Sequence, residues 1–132
     1  MIVFLLLLLG AVMNDTSARD VISINTGWQF KKGPFSTDPM RASAQWDGKW
    51  EEVTIPHTWN AKDMQVKADA FYEGVGYYRK KQFFGNELAG KRVFLRFEGV
   101  GACTEVYVNG KLVGTHKGGY SAFAFEIGTA LK

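Results

Sequence analysis

Two stretches of the chain gather side chains able to recognise a polar ligand. Pro56 to Gly76 carries His57, Trp59, Asn60, Asp63, Asp69, Phe71, Tyr72 and Glu73, and Thr115 to Ser121 reads Thr-His-Lys-Gly-Gly-Tyr-Ser. Aromatic rings stack on the C–H faces of a pyranose, while amides, carboxylates and imidazoles take its hydroxyls. Trp59, Tyr72 and Tyr120 are the loop aromatics available for stacking, and each could instead plug the end of a β-sandwich. Hydrolysing a glycoside with retention would require two carboxylates about 5–5.5 Å apart. Asp63, Asp69 and Glu73 have no spacing that holds them on one face. Glu51 and Glu52 are adjacent, so in a strand they point to opposite faces. No catalytic residue is assigned to this chain on that basis. A transition-metal site needs three or four convergent ligands, whereas His57 and His116 are the only histidines and Cys103 the only cysteine. Neither Gly74-Val75-Gly76 nor Gly118-Gly119 sits between a strand and a helix, as a phosphate loop would. No metal and no cofactor are expected.

The elements that must position these residues are strands. The chain has 132 residues, of which 46% are hydrophobic and 22% charged, an ordinary globular balance. That length suits one domain and excludes a (β/α)8 barrel, which needs roughly 250 residues. Alternation of period two marks Val93, Leu95 and Phe97 as one face of a strand, with Arg96 and Glu98 on the other. Thr104–Val108 repeats the pattern. Asn109-Gly110 then provides the positive-φ pair of a two-residue hairpin, and Lys111–Val113 returns. Phe123, Phe125 and Ile127 alternate with Ala122, Ala124 and Glu126 in a last strand. Earlier strands are expected at Asp20–Ile24, Trp28–Lys31, Glu52–Ile55 and Tyr77–Phe84, and one short helix at Asp38–Gln45 with Pro39 in its first turn. Short strands with glycine turns read as an all-β fold, a β-sandwich or jelly roll. The chain stops just after a fresh strand, so a sandwich truncated at its C-terminus is expected, with an open edge prone to association.

The net charge of +3 is too small for a nucleic-acid binder. Arg79-Lys80-Lys81 and Lys31-Lys32 are read as solvated strand faces and ends. Ile2 to Val12 is an unbroken apolar run, too short to span a membrane and matching the apolar core of a secretory signal peptide. Thr16-Ser17-Ala18 offers a cleavage site, so residues 1–18 are expected to be a signal peptide and 19–132 the mature domain, periplasmic or secreted. A lone cysteine closes no intrachain disulfide. Beside a valine-rich run, Cys103 is expected to be a small buried packing residue.

The ordered set of Trp50-x-x-Val53-x-Ile55-Pro56-His57-x-Trp59, Gly76-x-Tyr78-x-Lys80, Val106-x-Val108-Asn109-Gly110 and Val113-Gly114-x-His116-x-Gly118-Gly119-Tyr120 resembles the N-terminal sugar-binding domain of glycoside hydrolase family 2. The match runs from about Ser23 to Lys132. Any one piece is weak; the set in order is specific. The resemblance implies a jelly-roll, galactose-binding-like domain that precedes an immunoglobulin-like domain and a catalytic barrel with two glutamates. It implies a carbohydrate and the remaining domains of the same chain as partners, with a homo-oligomer interface as a further role. In such enzymes, loops of this domain approach the sugar subsite. Carried over residue by residue, Asn60 and Asp63 become hydroxyl partners and His116 and Lys117 rim contacts. With His57 and Trp59 they form the substrate-binding candidates. Where some relatives carry an aspartate that helps hold sodium, Lys117-Gly118 stand here, so no alkali-metal site is expected. The parent activity implied is a β-galactosidase, with a β-glucuronidase or a free-standing carbohydrate-binding module as alternatives.

Overall fold

The computed structural model describes residues 19–34, 38, 49–60 and 72–132. They form seven strands: β1 (Trp28–Gly33), β2 (Glu51–Val53), β3 (Val75–Arg79), β4 (Phe94–Phe97), β5 (Cys103–Val108), β6 (Lys111–Lys117) and β7 (Phe123–Glu126). Two short 3-10 turns, Asn86–Leu88 and Gly128–Ala130, are the only helical elements among the described residues. The strands pair antiparallel as one sheet in the order β2-β1-β3 and two ladders, β4–β7 and β5–β6. The all-β expectation holds. The proposed signal peptide lies outside the described residues, as does the Asp38–Gln45 helix apart from Asp38.

The two ladders face one another through their alternating apolar residues. Register pairs Leu95 with Phe125 and Phe97 with Phe123, leaving Arg96 outside to bind Glu98 (Nε to Oε1, 2.8 Å). From the opposite ladder come Val106, which is buried, and Gly114, which lies directly under the Phe125 ring. Val113 has no partner in the β5–β6 register: Val106 faces Gly114 and Tyr107 faces Leu112, a bulge that lets β6 stay against β7. Asn109 and Gly110 take the positive φ values of 49° and 85° that the hairpin requires. Asn109 Nδ2 also donates to Ala130 O at 2.8 Å, which ties this end of the hairpin to the turn after β7.

Four expectations are corrected. Asp20–Ile24 is not a strand, because β1 already has both edges filled, by β2 and β3. Instead, Asp20 pairs with Lys91 at 2.5 Å and Ile24 O accepts from Trp28 Nε1. The strand expected at Tyr77–Phe84 spans Val75–Arg79, since its ladder runs only along β1, from Gly33 to Gln29. Beyond it Lys80 Nζ donates to Thr26 O, and Phe83 is left exposed. Thr115, His116 and Lys117 are not loop residues but the end of β6, paired with Glu105, Thr104 and Cys103. Cys103 is exposed rather than buried, because it shares the outward parity of Glu105, opposite to that of Val106.

Candidate functional site

The segment after β2 keeps strand-like alternation beyond the ladder. Val53, Ile55, His57 and Trp59 are half-buried while Thr54, Pro56 and Thr58 are exposed. Ile55 N donates to Asn25 O at 2.9 Å and the Ile55–Pro56 peptide is cis. This carries His57 and Trp59 over the face of the first sheet that displays Phe30, the most buried large side chain described.

There an aromatic cluster forms. His57 lies 4.8 Å from Phe30 between ring centroids, and its Nδ1 shares a 2.8 Å hydrogen bond with the Tyr78 hydroxyl. Tyr78 also tilts against Phe30 at 4.7 Å. Burial, reinforced by the nearby Glu51 carboxylate, raises the Tyr78 phenol above its ordinary range, so it remains a protonated hydrogen-bonding group. Trp59 stacks on Phe30 at 6.0 Å and lies across Gly76. Asn60 is buried and its carboxamide imitates a backbone pair: Nδ2 donates to Tyr72 O and Oδ1 accepts from Tyr72 N, both at 3.2 Å. The Tyr72 hydroxyl sits between Gly33 O (2.9 Å) and Val75 O (3.0 Å), and Lys32 Nζ stands 5.2 Å over its ring. Asn60 thus clasps both ends of the long loop, of which residues 61–71 and with them Asp63 lie outside the described residues.

His116 and Lys117 belong to a second group, on β6. His116 stacks face to face on Phe123 at 4.0 Å and 16°, with Nε2 3.2 Å from Ser121 Oγ. Lys117 points the other way and is exposed. Among the described residues no hydrogen bond or ring contact joins this group to His57, Trp59 and Asn60. Nor do three His, Cys, Asp or Glu side chains converge among them. Several acids are engaged at the surface: Glu126 by Arg92, Glu98 by Arg96 and Asp20 by Lys91.

Sequence reasoning missed the roles of Tyr78 and Tyr72 as holders of His57 and Asn60. The signal was present in the alternation after β2, which placed His57 and Trp59 on one face with Val53 and Ile55. It also missed an open depression of about 340 Å³ along the edge strand β2, lined by Lys49, Trp50, Glu51 and Glu52. Arg79 lies 3.8 Å over the Trp50 ring beside it, held in turn by Gln29 (Nε to Oε1, 2.8 Å).

Residues 21–132 match the family model described as glycosyl hydrolases family 2, sugar binding domain. The chain belongs to glycoside hydrolase family 2. A β-glucuronidase of Bacteroides fragilis is 38% identical over 129 residues, covering 98% of this chain and 17% of that protein. A β-galactosidase of Thermoanaerobacter pseudethanolicus is 32% identical over 117 residues, 86% of this chain and 15% of the other. Among solved structures, a Bacteroides fragilis protein assigned as a β-galactosidase superposes with a TM-score of 0.72 at 80% identity, over 84% of this chain and 16% of its own. A Bacteroides uniformis β-glucuronidase, solved covalently bound to cyclophellitol-6-carboxylate aziridine, gives 0.71 at 37% identity over 84% and 13%. The chain therefore spans about a sixth of the length of the relatives it matches. The all-β arrangement of the described residues is consistent with a β-sandwich of the jelly-roll type, and the solved structures it superposes on are family 2 enzymes.

Proposed function

We propose that this family 2 domain is the non-catalytic sugar-binding part of an exported retaining β-glycosidase, a β-galactosidase, that removes terminal β-linked sugars. The observation that carries the substrate class is the 80% identity to the Bacteroides fragilis structure assigned as a β-galactosidase. The second reading, a β-glucuronidase, is favoured by the 38% identical Bacteroides fragilis relative, whose match covers 98% of this chain. The reacting carboxylates belong to the part of the parent enzyme outside this domain, consistent with the small share of the relatives it covers. His57, Trp59 and Asn60 form a wall over the first sheet, beside Phe30 and Tyr72. Asp63 takes sugar hydroxyls, and His116 and Lys117 line a rim. Export rests on the apolar run Ile2 to Val12 followed by Thr16-Ser17-Ala18.

The test is turnover by the full-length protein that contains this chain. Nitrophenyl β-galactoside is expected to be hydrolysed in preference to nitrophenyl β-glucuronide; the reverse preference would replace the first reading with the second. Asp63→Ala in that protein is expected to raise KM more than it lowers kcat, and an unchanged KM would remove the loop from the sugar site. An exported enzyme beginning at Arg19 would establish the leader.

A further inference from the structure

Register places Glu51, Phe30 and Tyr78 in one row across β2, β1 and β3, so their side chains share a face of the first sheet. His57 lies over that row. Its ring stands at 57° to Phe30 and at 71° to Tyr78, 5.8 Å from the latter, and Nδ1 meets the Tyr78 hydroxyl at 2.8 Å. A half-turn of the imidazole would put Cδ2 where Nδ1 stands and lose this bond, so the bond fixes which way the ring faces. Its direction is then decided by the phenol. Tyr78 keeps its proton, and among the described residues His57 is the only hydrogen-bond partner of its hydroxyl. Glu51, the charged group on the same face, stands two strands away, about 9–10 Å along the sheet, and makes no hydrogen bond to Tyr78. Arg79 and Glu52 belong to the neighbouring rows and the opposite face. A phenol donates better than it accepts, because its oxygen lone pair is drawn into the ring, and a bare imidazole nitrogen is a strong neutral acceptor. The hydrogen bond made by one ring nitrogen sets the proton on the other.

We propose that Tyr78 is a positioning residue: it donates to His57 Nδ1, holds the imidazole as the Nε2–H tautomer, and makes His57 a hydrogen-bond donor for an oxygen of the bound sugar. The sugar as occupant rests on the family 2 reading proposed above, in which the matching family model is a sugar-binding domain. Nε2 makes no hydrogen bond to another described residue, so its proton is not spent inside the cluster. The chemistry it selects is specific. A ring oxygen, a glycosidic oxygen or a carboxylate accepts and cannot donate, so an Nε2–H can bind it and a bare Nε2 cannot. Phe30 beneath the ring and Tyr78 beside it hold that donor in one direction before any ligand arrives, which removes ordering cost from binding.

The experiment uses the full-length enzyme that contains this chain. Neutron diffraction from crystals exchanged into heavy water at neutral pH locates the protons. Deuterium is expected on His57 Nε2 and on the Tyr78 hydroxyl, aimed at Nδ1; deuterium on Nδ1 overturns the proposal. The kinetic arm compares Tyr78→Phe, His57→Ala and His57→Gln on nitrophenyl β-galactoside and β-glucuronide. Tyr78→Phe and His57→Ala are each expected to raise KM by about 3- to 10-fold, more than they lower kcat. His57→Gln, whose amide nitrogen stands where Nε2 does, is expected to recover part of the His57→Ala loss. An unchanged KM in both Tyr78→Phe and His57→Ala overturns the sugar contact. Absence of turnover of both glycosides by the wild-type enzyme would instead sink the glycosidase reading, while the deuterium positions still decide what Tyr78 does to His57.

Discussion

Gly114 offers a test of how the two ladders are joined. Its φ is not in the left-handed region, so the backbone would accept any residue; the demand is for space. An added Cβ would lie 2.6 Å from Phe125 Cζ and nearer still to Cε1 and Cδ1. Comfortable carbon contacts are about 3.5–4.0 Å, so the ring would have to retreat by about 1 Å or more. It is hemmed in by Phe123 at 5.5 Å and by Leu95, its partner across the ladder. Overpacking of this kind costs about 1–3 kcal/mol. Replacing glycine by alanine at a permissive backbone position otherwise stabilises by about 0.4–1 kcal/mol through the unfolded chain. With the middle of each range, the sum predicts that Gly114→Ala destabilises by about 1.3 kcal/mol, opposite in sign to the backbone effect alone. Urea unfolding followed by far-ultraviolet circular dichroism measures it, repeated in a Phe125→Ala background where the clash is gone. There Gly114→Ala is expected to be neutral or stabilising, giving a coupling energy above about 1 kcal/mol. A neutral Gly114→Ala in the wild-type background, or an equal cost in both, would refute the close approach of β6 to Phe125.

Gly76→Ala tests the first sheet in the same way: its Cβ would overlap the Trp59 ring and stand 3.0 Å from Phe30 Cε2, so a loss of about 1–3 kcal/mol is expected, abolished by Trp59→Ala. Asn60→Ala removes both carboxamide bonds to Tyr72 and leaves that backbone pair without its partner, and a loss of about 1–3 kcal/mol by urea unfolding is expected. Because burial raises the Tyr78 phenol above its unfolded value, its contribution is complete below about pH 10 and is lost as pH rises through the folded value. Stability should therefore fall on the alkaline side, and Tyr78→Phe should flatten that limb while losing the His57 bond. An alkaline limb identical in the two proteins would contradict the burial of this phenol.

How much of this was legible beforehand depends on how local each feature is. The Val93–Phe97 and Phe123–Ile127 alternation and the Asn109-Gly110 turn are written in consecutive residues, and the structure contains them as read. Period two survives any tertiary context that buries one face, and two positive φ values in a row admit few residue types. Asp20–Ile24 failed because alternation says that a segment suits a strand, without saying that an edge is free to receive it. The end of β6 was hidden because Thr-His-Lys-Gly-Gly looks like a loop until Cys103–Glu105 is placed opposite it.

The candidate site divides along the same line. Sequence alone determined the fold class, the family resemblance and the two stretches from which polar and aromatic residues would come. Only the tertiary structure decided what those residues do within the fold. It turned His57 and Trp59 onto Phe30, engaged the Asn60 amide with Tyr72 and set Cys103 opposite Lys117 with its side chain outward. Each of these depends on a partner that is distant in the chain, across a sheet or a loop. Burial is a property of what surrounds a side chain, and one-dimensional order does not contain it.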